Sequence, residues 1–347
     1  MFDSISMLPK VNNSCFLDCD YCMVVRELEL EKKGKLPSTM MPLSTIEKMC
    51  DMAIGYNKWF FSYVGGEPLM NGRDYFREMF QIIERKSKEY YTPYTHRVTT
   101  NGLLLDDEWI ELFAEYNCKI IFSYDGYGYG KKGSKKAQDL IRKYAKDIHV
   151  GQAVIGPNNC ANFLDIYKEL EELGARRMNT QYEIYSPEEE YLRFADGSLE
   201  VFKYIDSLEK VKTSLFLYND AKAIAAGKLA SINGGEFINS RLLADYVIDY
   251  DGEIRNALNS RESDYAKYGN INSYSHFNDL LTTETTKYVL KDYVNAMRAF
   301  GELKEVALVT RGGGYPGDRF GIRREDAPHV PKLRCFKILL EHFGMKL

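Results

Sequence analysis

The chain has 347 residues, 45% of them hydrophobic and 28% charged, a balance that lets a protein bury a large core and excludes wholesale disorder. Its 46 basic and 50 acidic residues leave a formal charge of -4, so no general field attracts a polyanion, and no basic patch of useful size marks a nucleic-acid binder. No run reaches the ~18 apolar residues of a membrane span, and Met1 to Lys10 lacks the pattern of a signal peptide, so the expected location is the cytoplasm.

From the N-terminus to about residue 185, apolar or β-branched runs alternate with amphipathic stretches, the rhythm of β-α units around a parallel sheet. Strands are expected at Ser4–Val11, Trp59–Val64, His96–Thr100, Lys119–Tyr124, His149–Ile155 and Met178–Ile184. Helices are expected between them at Ser44–Tyr56, Tyr75–Tyr90, Asp107–Tyr116, Lys135–Lys146 and Ala161–Leu173. Asp106 reads as an N-cap, and Gly174 as a C-terminal stop. The expected fold is α/β: a partial (β/α)6 TIM barrel over residues 1–190, whose site lies at the strand C-termini.

After residue 190 the rhythm changes, which sets a smaller C-terminal α+β domain at 191–347. Helical pieces at Leu199–Leu208 and Asp220–Ala230 precede a hairpin, Asp245–Asp249 and Glu253–Ala257, turned by Tyr250-Asp251-Gly252. Helices follow at Thr283–Phe300 and Leu333–Phe343, on either side of the run Gly312–Gly314 with Pro316.

Seven cysteines, an odd number, do not form a secreted disulfide framework, but Cys15, Cys19 and Cys22 stand at C-x3-C-x2-C spacing directly after the first strand. Three thiolates can wrap one soft metal site. A closed zinc site needs a fourth protein ligand, completed here only by a distant residue. An iron-sulfur cube with three protein ligands instead leaves one iron open to a small chelator.

The triplet resembles the signature of the radical S-adenosylmethionine (SAM) superfamily, and further pieces follow in order. Gly65-Gly66-Glu67-Pro68-Leu69 ends the second strand and resembles that family's GGEP motif; Thr99-Thr100-Asn101-Gly102 and Ser123-Tyr124-Asp125-Gly126 end the third and fourth. The resemblance implies a single [4Fe-4S] cluster on Cys15, Cys19 and Cys22, with SAM chelating the open iron and its ammonium received at Gly65 to Pro68. It implies Tyr21 near the adenine, Asn101 among the cofactor-facing residues, Ser123 and Asp125 by the SAM carboxylate and ribose, and Gln152 and Ile155 beside the adenosine. The implied chemistry is reductive cleavage of SAM to a 5'-deoxyadenosyl radical, which abstracts a hydrogen atom from substrate. An electron donor such as a flavodoxin or ferredoxin is implied with it.

The tail is similar to the SPASM extension of many radical SAM enzymes that modify peptides, with most of its cysteines gone. Ala257 stands at an expected ligand position, and Arg311 and Tyr315 replace both thiols of a C-x-G-G-C-P element. Only Cys335 keeps a thiol. The implied substrate is a peptide or protein residue; a small metabolite or sugar-like substrate, or a non-catalytic iron-sulfur or zinc protein, are the alternatives. Arg255 and Arg311 are candidate clamps for a substrate carboxylate, set against an ion pair at the surface. Cys335, Cys118 and Cys160 are candidate thiol hydrogen donors, set against buried apolar packing. Oligomeric state is not legible.

Overall fold

The computed structural model describes residues 3–22, 39–182, 188–228, 245–256, 267–298 and 329–346. In chain order the first half runs β1 (Ser4–Pro9), α1 (Leu43–Met52), β2 (Lys58–Tyr63), α2 (Gly72–Glu89), β3 (Tyr94–Thr100), α3 (Asp107–Glu115), β4 (Lys119–Ser123), α4 (Lys135–Lys143), β5 (Ile148–Ile155), α5 (Phe163–Glu172) and β6 (Arg177–Tyr182). The second runs α6 (Glu188–Asp206), β7 (Ser214–Leu215), α7 (Phe216–Ala225), β8 (Asp245–Ile248), β9 (Glu253–Arg255), β10 (Lys267–Asn270), α8 (Glu284–Arg298) and α9 (His329–Glu341). All six expected β-α strands are present, with ends that differ by at most two residues; the expected end of the sixth at Ile184 lies outside the described residues.

The chain groups into two compact units, Met1–Ile121 with Arg241–Leu290 and Phe122–Ser240 with Lys291–Leu347. These units divide the chain at 121/122, 240/241 and 290/291.

In the first unit β1, β2 and β3 pair in parallel. Phe76, Met79, Phe80 and Ile83 recur on one face of α2 and are buried, and of its charged residues Lys86 is buried too, paired with Asp51 at 2.7 Å. Phe76 packs edge-on against Trp109 and Phe113 of α3, with ring centroids 5.3 and 5.9 Å away. The start of α3 is set by Asp106, whose carboxylate accepts the Trp109 N–H, as the sequence indicated. His96 of β3 is buried within this aromatic core, with Nδ1 3.2 Å from the Tyr63 hydroxyl and Nε2 2.6 Å from the Tyr116 carbonyl. Burial pushes its pKa down to about 4.

The expected hairpin forms as β8 and β9, and β8 lies parallel to β1 with Ser6 opposite Asp245 and Pro9 opposite Ile248. A segment from the tail thus covers the edge that β1 would otherwise present to water. β10 pairs antiparallel with β9 and completes this side of the unit.

In the second unit β5, β6 and β7 pair in parallel. Gly174 closes α5 at a φ of 93°. The 19-residue helix α6 begins well before the expected Leu199. Within the part of α6 before Leu199, a Cβ at Gly197 would lie 2.4 Å from the Cys160 carbonyl oxygen. The glycine lets α6 approach that carbonyl; it does not end the helix. Downstream, Phe202 of α6 packs against Tyr218 and Phe343, and Asp206 accepts from the Tyr218 hydroxyl and lies 2.8 Å from His342 Nε2. Among the described residues no helix is long and apolar enough to cross a membrane.

Candidate functional site

Beyond their paired residues, β1 and β2 run on side by side. Val64 N donates to Pro9 O (3.0 Å), Val11 N to Val64 O (2.9 Å), Gly66 N to Asn12 O (3.2 Å) and Glu67 N to Ser14 O (2.6 Å). The cysteine-bearing loop therefore starts in register against the Gly-Gly-Glu loop. A Cβ at Gly65 would lie 2.5 Å from Asn12 O, and one at Gly66 2.0 Å from Ser14 O. The sequence indicates glycines that permit close backbone approach; in the structure the backbone their missing Cβ atoms admit is that of the cysteine loop itself.

Glu67 is 1% exposed and its carboxylate is fully engaged by neighbouring loops. Oε1 accepts from Leu69 N (3.1 Å) and the Thr100 hydroxyl (2.6 Å), and Oε2 accepts from Asn101 N (2.8 Å). This carboxylate, expected with the loop carbonyls to receive an ammonium, ties the end of β3 to the loop after β2. Asn101 completes the link, because its Nδ2 points to Cys15 Sγ at 3.9 Å and its Oδ1 accepts from Leu103 N. Pro68 opens a short 3-10 turn after Glu67, a position where a missing N–H costs nothing.

Of the three cysteines, Cys19 is buried, Cys22 partly exposed and Cys15 exposed, and Tyr21 is partly exposed beside them. Cys22 N donates to Cys19 O (2.9 Å), a turn that brings the last two thiols together, and Leu17 N donates to Cys15 Sγ (3.3 Å). The Cys15 thiol is pushed up to about 11, first by desolvation, then by the Glu67 carboxylate and the Cys22 and Cys19 sulfurs. Such a thiol becomes a thiolate ligand when a metal displaces its proton. Among the described residues no three Cys, His, Asp or Glu side chains converge as a single ion would need. The Cys19 and Cys22 sulfurs lie within electrostatic reach of Cys15, and three cysteine thiols are the donor set a [4Fe-4S] cube takes when one iron is left to a small chelator.

In the second unit, Ser123 and Asp125 are buried at the end of β4. Asp125 Oδ1 accepts from Val154 N (3.1 Å), and Lys132 Nζ donates to Ser123 Oγ (3.1 Å). Lys132, which reads in sequence as part of a solvated face, thus brings a cation to a serine expected beside a carboxylate. Asn159 has no counterpart among the expected residues: it is buried, its Oδ1 accepts from Gly156 N (2.8 Å), and its Nδ2 donates to Val154 O (2.9 Å) and Asp125 O (3.3 Å). It clamps the ends of β4 and β5 together.

On β5 the pleat separates the two expected residues. A Cβ at Gly151 would touch Leu170 of α5, so Gly151, Ala153 and Ile155 face that helix, whereas Gln152 and Val154 face the other way. Ile155 is fully buried, while Gln152 is partly exposed and accepts at Oε1 from Asn179 Nδ2 (3.3 Å). Val154, skipped by the sequence reading, shares the face of Gln152.

Arg255 is 1% exposed and paired with Asp249 (Nε to Oδ2, 2.5 Å) and Glu253. Its guanidinium is spent inside the fold, so it belongs to the ion-pair alternative, buried where a surface pair was expected. Cys335 of α9, Cys118 before β4 and Cys160 before α5 are all buried. Burial raises the pKa values of Cys118 and Cys160, which suits apolar packing. Arg311, Tyr315 and Ala257 lie outside the described residues.

Residues 10–127 match the model of the radical SAM superfamily. A cysteine-type anaerobic sulfatase-maturating enzyme of Clostridium novyi (strain NT) is 23% identical over 98% of this chain and 93% of that protein. A serine-type anaerobic sulfatase-maturating enzyme of Bacteroides thetaiotaomicron is 28% identical over 48% of this chain and 43% of that protein. The structure of native anSMEcpe with bound AdoMet and Cp18Cys peptide superposes with a TM-score of 0.76 at 19% identity, covering 98% of this chain and 96% of that one. This likeness shows the fold, an α/β partial barrel with a C-terminal domain. With the cysteine triplet, the Gly-Gly-Glu loop and the family match all in the first 127 residues, the chain carries a radical SAM domain and is an enzyme related to the anaerobic sulfatase-maturating enzymes.

Proposed function

We propose that this enzyme modifies a residue of a peptide or protein, using one [4Fe-4S] cluster on Cys15, Cys19 and Cys22 and SAM bound beside it. The observation that carries the substrate class is the length of the relationship. Similarity to the Clostridium novyi sulfatase-maturating enzyme extends over 98% of the chain, so it includes the tail as well as the SAM domain. In this reading residues 1–190 form the SAM module and 191–347 select the substrate.

Bound there, the cluster and SAM supply a 5'-deoxyadenosyl radical that takes one hydrogen atom from the substrate. The chain's own residues orient these groups. Gly65, Gly66 and Pro68 shape the loop that meets the SAM amine, and Glu67 and Asn101 hold that loop by Cys15. Ser123 with Lys132 meets the carboxylate, Asp125 the ribose, and Gln152, assisted by Val154, the adenosine; Tyr21 lies by the adenine. Ile155 supports that wall from behind. Electrons come from a flavodoxin or ferredoxin, and the expected site of action is the cytoplasm.

Anaerobic reconstitution tests this directly. About four irons and four sulfides per chain are expected, lost in Cys15, Cys19 or Cys22→Ala variants. Dithionite and SAM should then yield 5'-deoxyadenosine slowly, and faster with the Cp18Cys peptide, accompanied by a mass change on the peptide. Eight irons would overturn the single-cluster reading. 5'-deoxyadenosine formation that no peptide stimulates, but an extract of small metabolites does, would overturn the substrate class.

A further inference from the structure

We infer that Asn12 is a positioning residue whose side-chain amide sets the cysteine loop against the Gly65–Glu67 loop, and so sets how SAM meets the cluster; this rests on the radical SAM reading above. An asparagine amide can donate two hydrogen bonds and accept two. Asn12 uses all four. Oδ1 accepts from Ser14 N (3.3 Å) and Gly66 N (3.2 Å), and Nδ2 donates to Glu67 O (2.9 Å) and Asn71 Oδ1 (2.7 Å). Asn71 Nδ2 in turn donates to Val11 O (3.0 Å). The residue is 1% exposed, and its bond to Glu67 O is fully buried, while those to Ser14, Gly66 and Asn71 are partly so.

Placement gives this saturation its meaning. Ser14 directly precedes the first cysteine, and Gly66 and Glu67 are the centre of the SAM-amine loop. Asn12 also pairs with Met40, and Asn13 N donates to Thr39 O (3.3 Å), so the chain returning from the cysteine segment closes on the same point. A backbone ladder alone lets two loops slide or splay where it ends; a planar amide bonded to both fixes their separation and rotation. Aspartate would not serve, because it would face the Glu67 and Asn71 oxygens with acceptors only.

The experiment uses the full-length, anaerobically reconstituted protein with SAM as the probe. Asn12→Ala should retain four irons and the electron paramagnetic resonance spectrum of the reduced cluster without SAM. It should lose most of the spectral change on SAM addition and bind SAM about tenfold or more weakly. Substrate-free 5'-deoxyadenosine formation should fall about a hundredfold, as small misplacements do. Asn71→Ala, which keeps the bonds to Gly66 and Glu67, should move the same readouts less. Asp106→Ala, which lowers stability away from the loops, should leave SAM affinity as in wild type. Wild-type SAM affinity and spectral change in Asn12→Ala would overturn the inference. If that variant does not fold or load iron, Asn71→Ala decides: weakened SAM binding supports the role, and wild-type binding overturns it. Wild-type protein that holds iron but binds no SAM would instead reject the underlying radical SAM reading.

Discussion

Two buried polar networks lie within a few residues of each other in the first unit, and they are built on opposite principles. Around Asn12 and Glu67 the interior is held by neutral amides, backbone groups and one carboxylate, each oxygen of which accepts at ordinary distances. Under the β8–β9 hairpin it is held by charge: Lys10 Nζ stands 3.1 Å from Asp249 Oδ1, Asp249 is paired with Arg255, and Arg255 with Glu253. Lys10, Asp249 and Arg255 are at most 4% exposed, and among the described residues Arg255 Nη1 has no hydrogen-bond partner. Neutral hydrogen bonds are directional and cost little to bury, so they suit a loop that must present ligands accurately. Buried charges cost several kcal/mol each to desolvate and repay it only while every partner is present. The loop network therefore sets position, whereas the hairpin network acts as an all-or-none fastening of a tail segment to β1.

The sharpest way to break this contrast is to remove one charge. Asp249→Ala leaves Lys10 and Arg255 buried without their shared anion, and about 3 to 5 kcal/mol of stability should be lost in urea denaturation. A loss below about 1 kcal/mol would mean the ion cluster fastens nothing. His96 supplies a third kind of interior, a titratable ring kept neutral. Its folded pKa of about 4 lies below its ordinary 6.5, so its contribution is fully present above pH 6.5 and is lost as pH falls from there toward about 4. That contribution is about 3 kcal/mol, and a His96→Gln variant should show a flatter stability profile in that window. An equally steep profile would clear His96 of the acid sensitivity.

Glu67→Gln probes the loop network gently, since it keeps the shape but turns one acceptor oxygen into a donor facing the donors at Thr100 and Asn101. A cost of about 1.5 to 3 kcal/mol is expected, with SAM binding reduced more than iron content in the folded fraction. Unchanged SAM affinity would confine Glu67 to folding. The smallest effect belongs to Asp106→Ala, which removes the α3 cap for about 1 kcal/mol, read as a modest fall in Tm.

Much of this was legible in the sequence because it rests on local signals. Asp106 before an acidic first turn, Gly174 after a periodic run, and the turn Asp251-Gly252 all behave in the structure as their local chemistry requires. The cysteine triplet and the Gly-Gly-Glu loop were legible for the same reason, as short motifs of unusual composition. What misled was any residue whose role is set by a distant partner. The start of α6 is placed at Leu199 until Gly197 is known to lie against the Cys160 carbonyl inside a helix that begins at Glu188. Lys132 reads as solvated until Ser123 lies within reach. Ile155 and Val154 exchange roles once the pleat of β5 is oriented by Gly151 and Leu170.

The sequence by itself determined the β-α alternation, the helix ends marked by Asp106 and Gly174 and the spacing of the cysteine triplet, because periodicity, capping and motif spacing act over a few residues. Tertiary structure alone decided that Asn12 reaches Glu67 across 55 positions, that the Glu67 carboxylate turns inward to Thr100 and Asn101, and that β8 pairs with β1 from more than 200 residues away. The physical reason is the same in each case. Which hydrogen bond a buried polar group makes depends on what folding places within about 3 Å of it, and no local pattern records that neighbour.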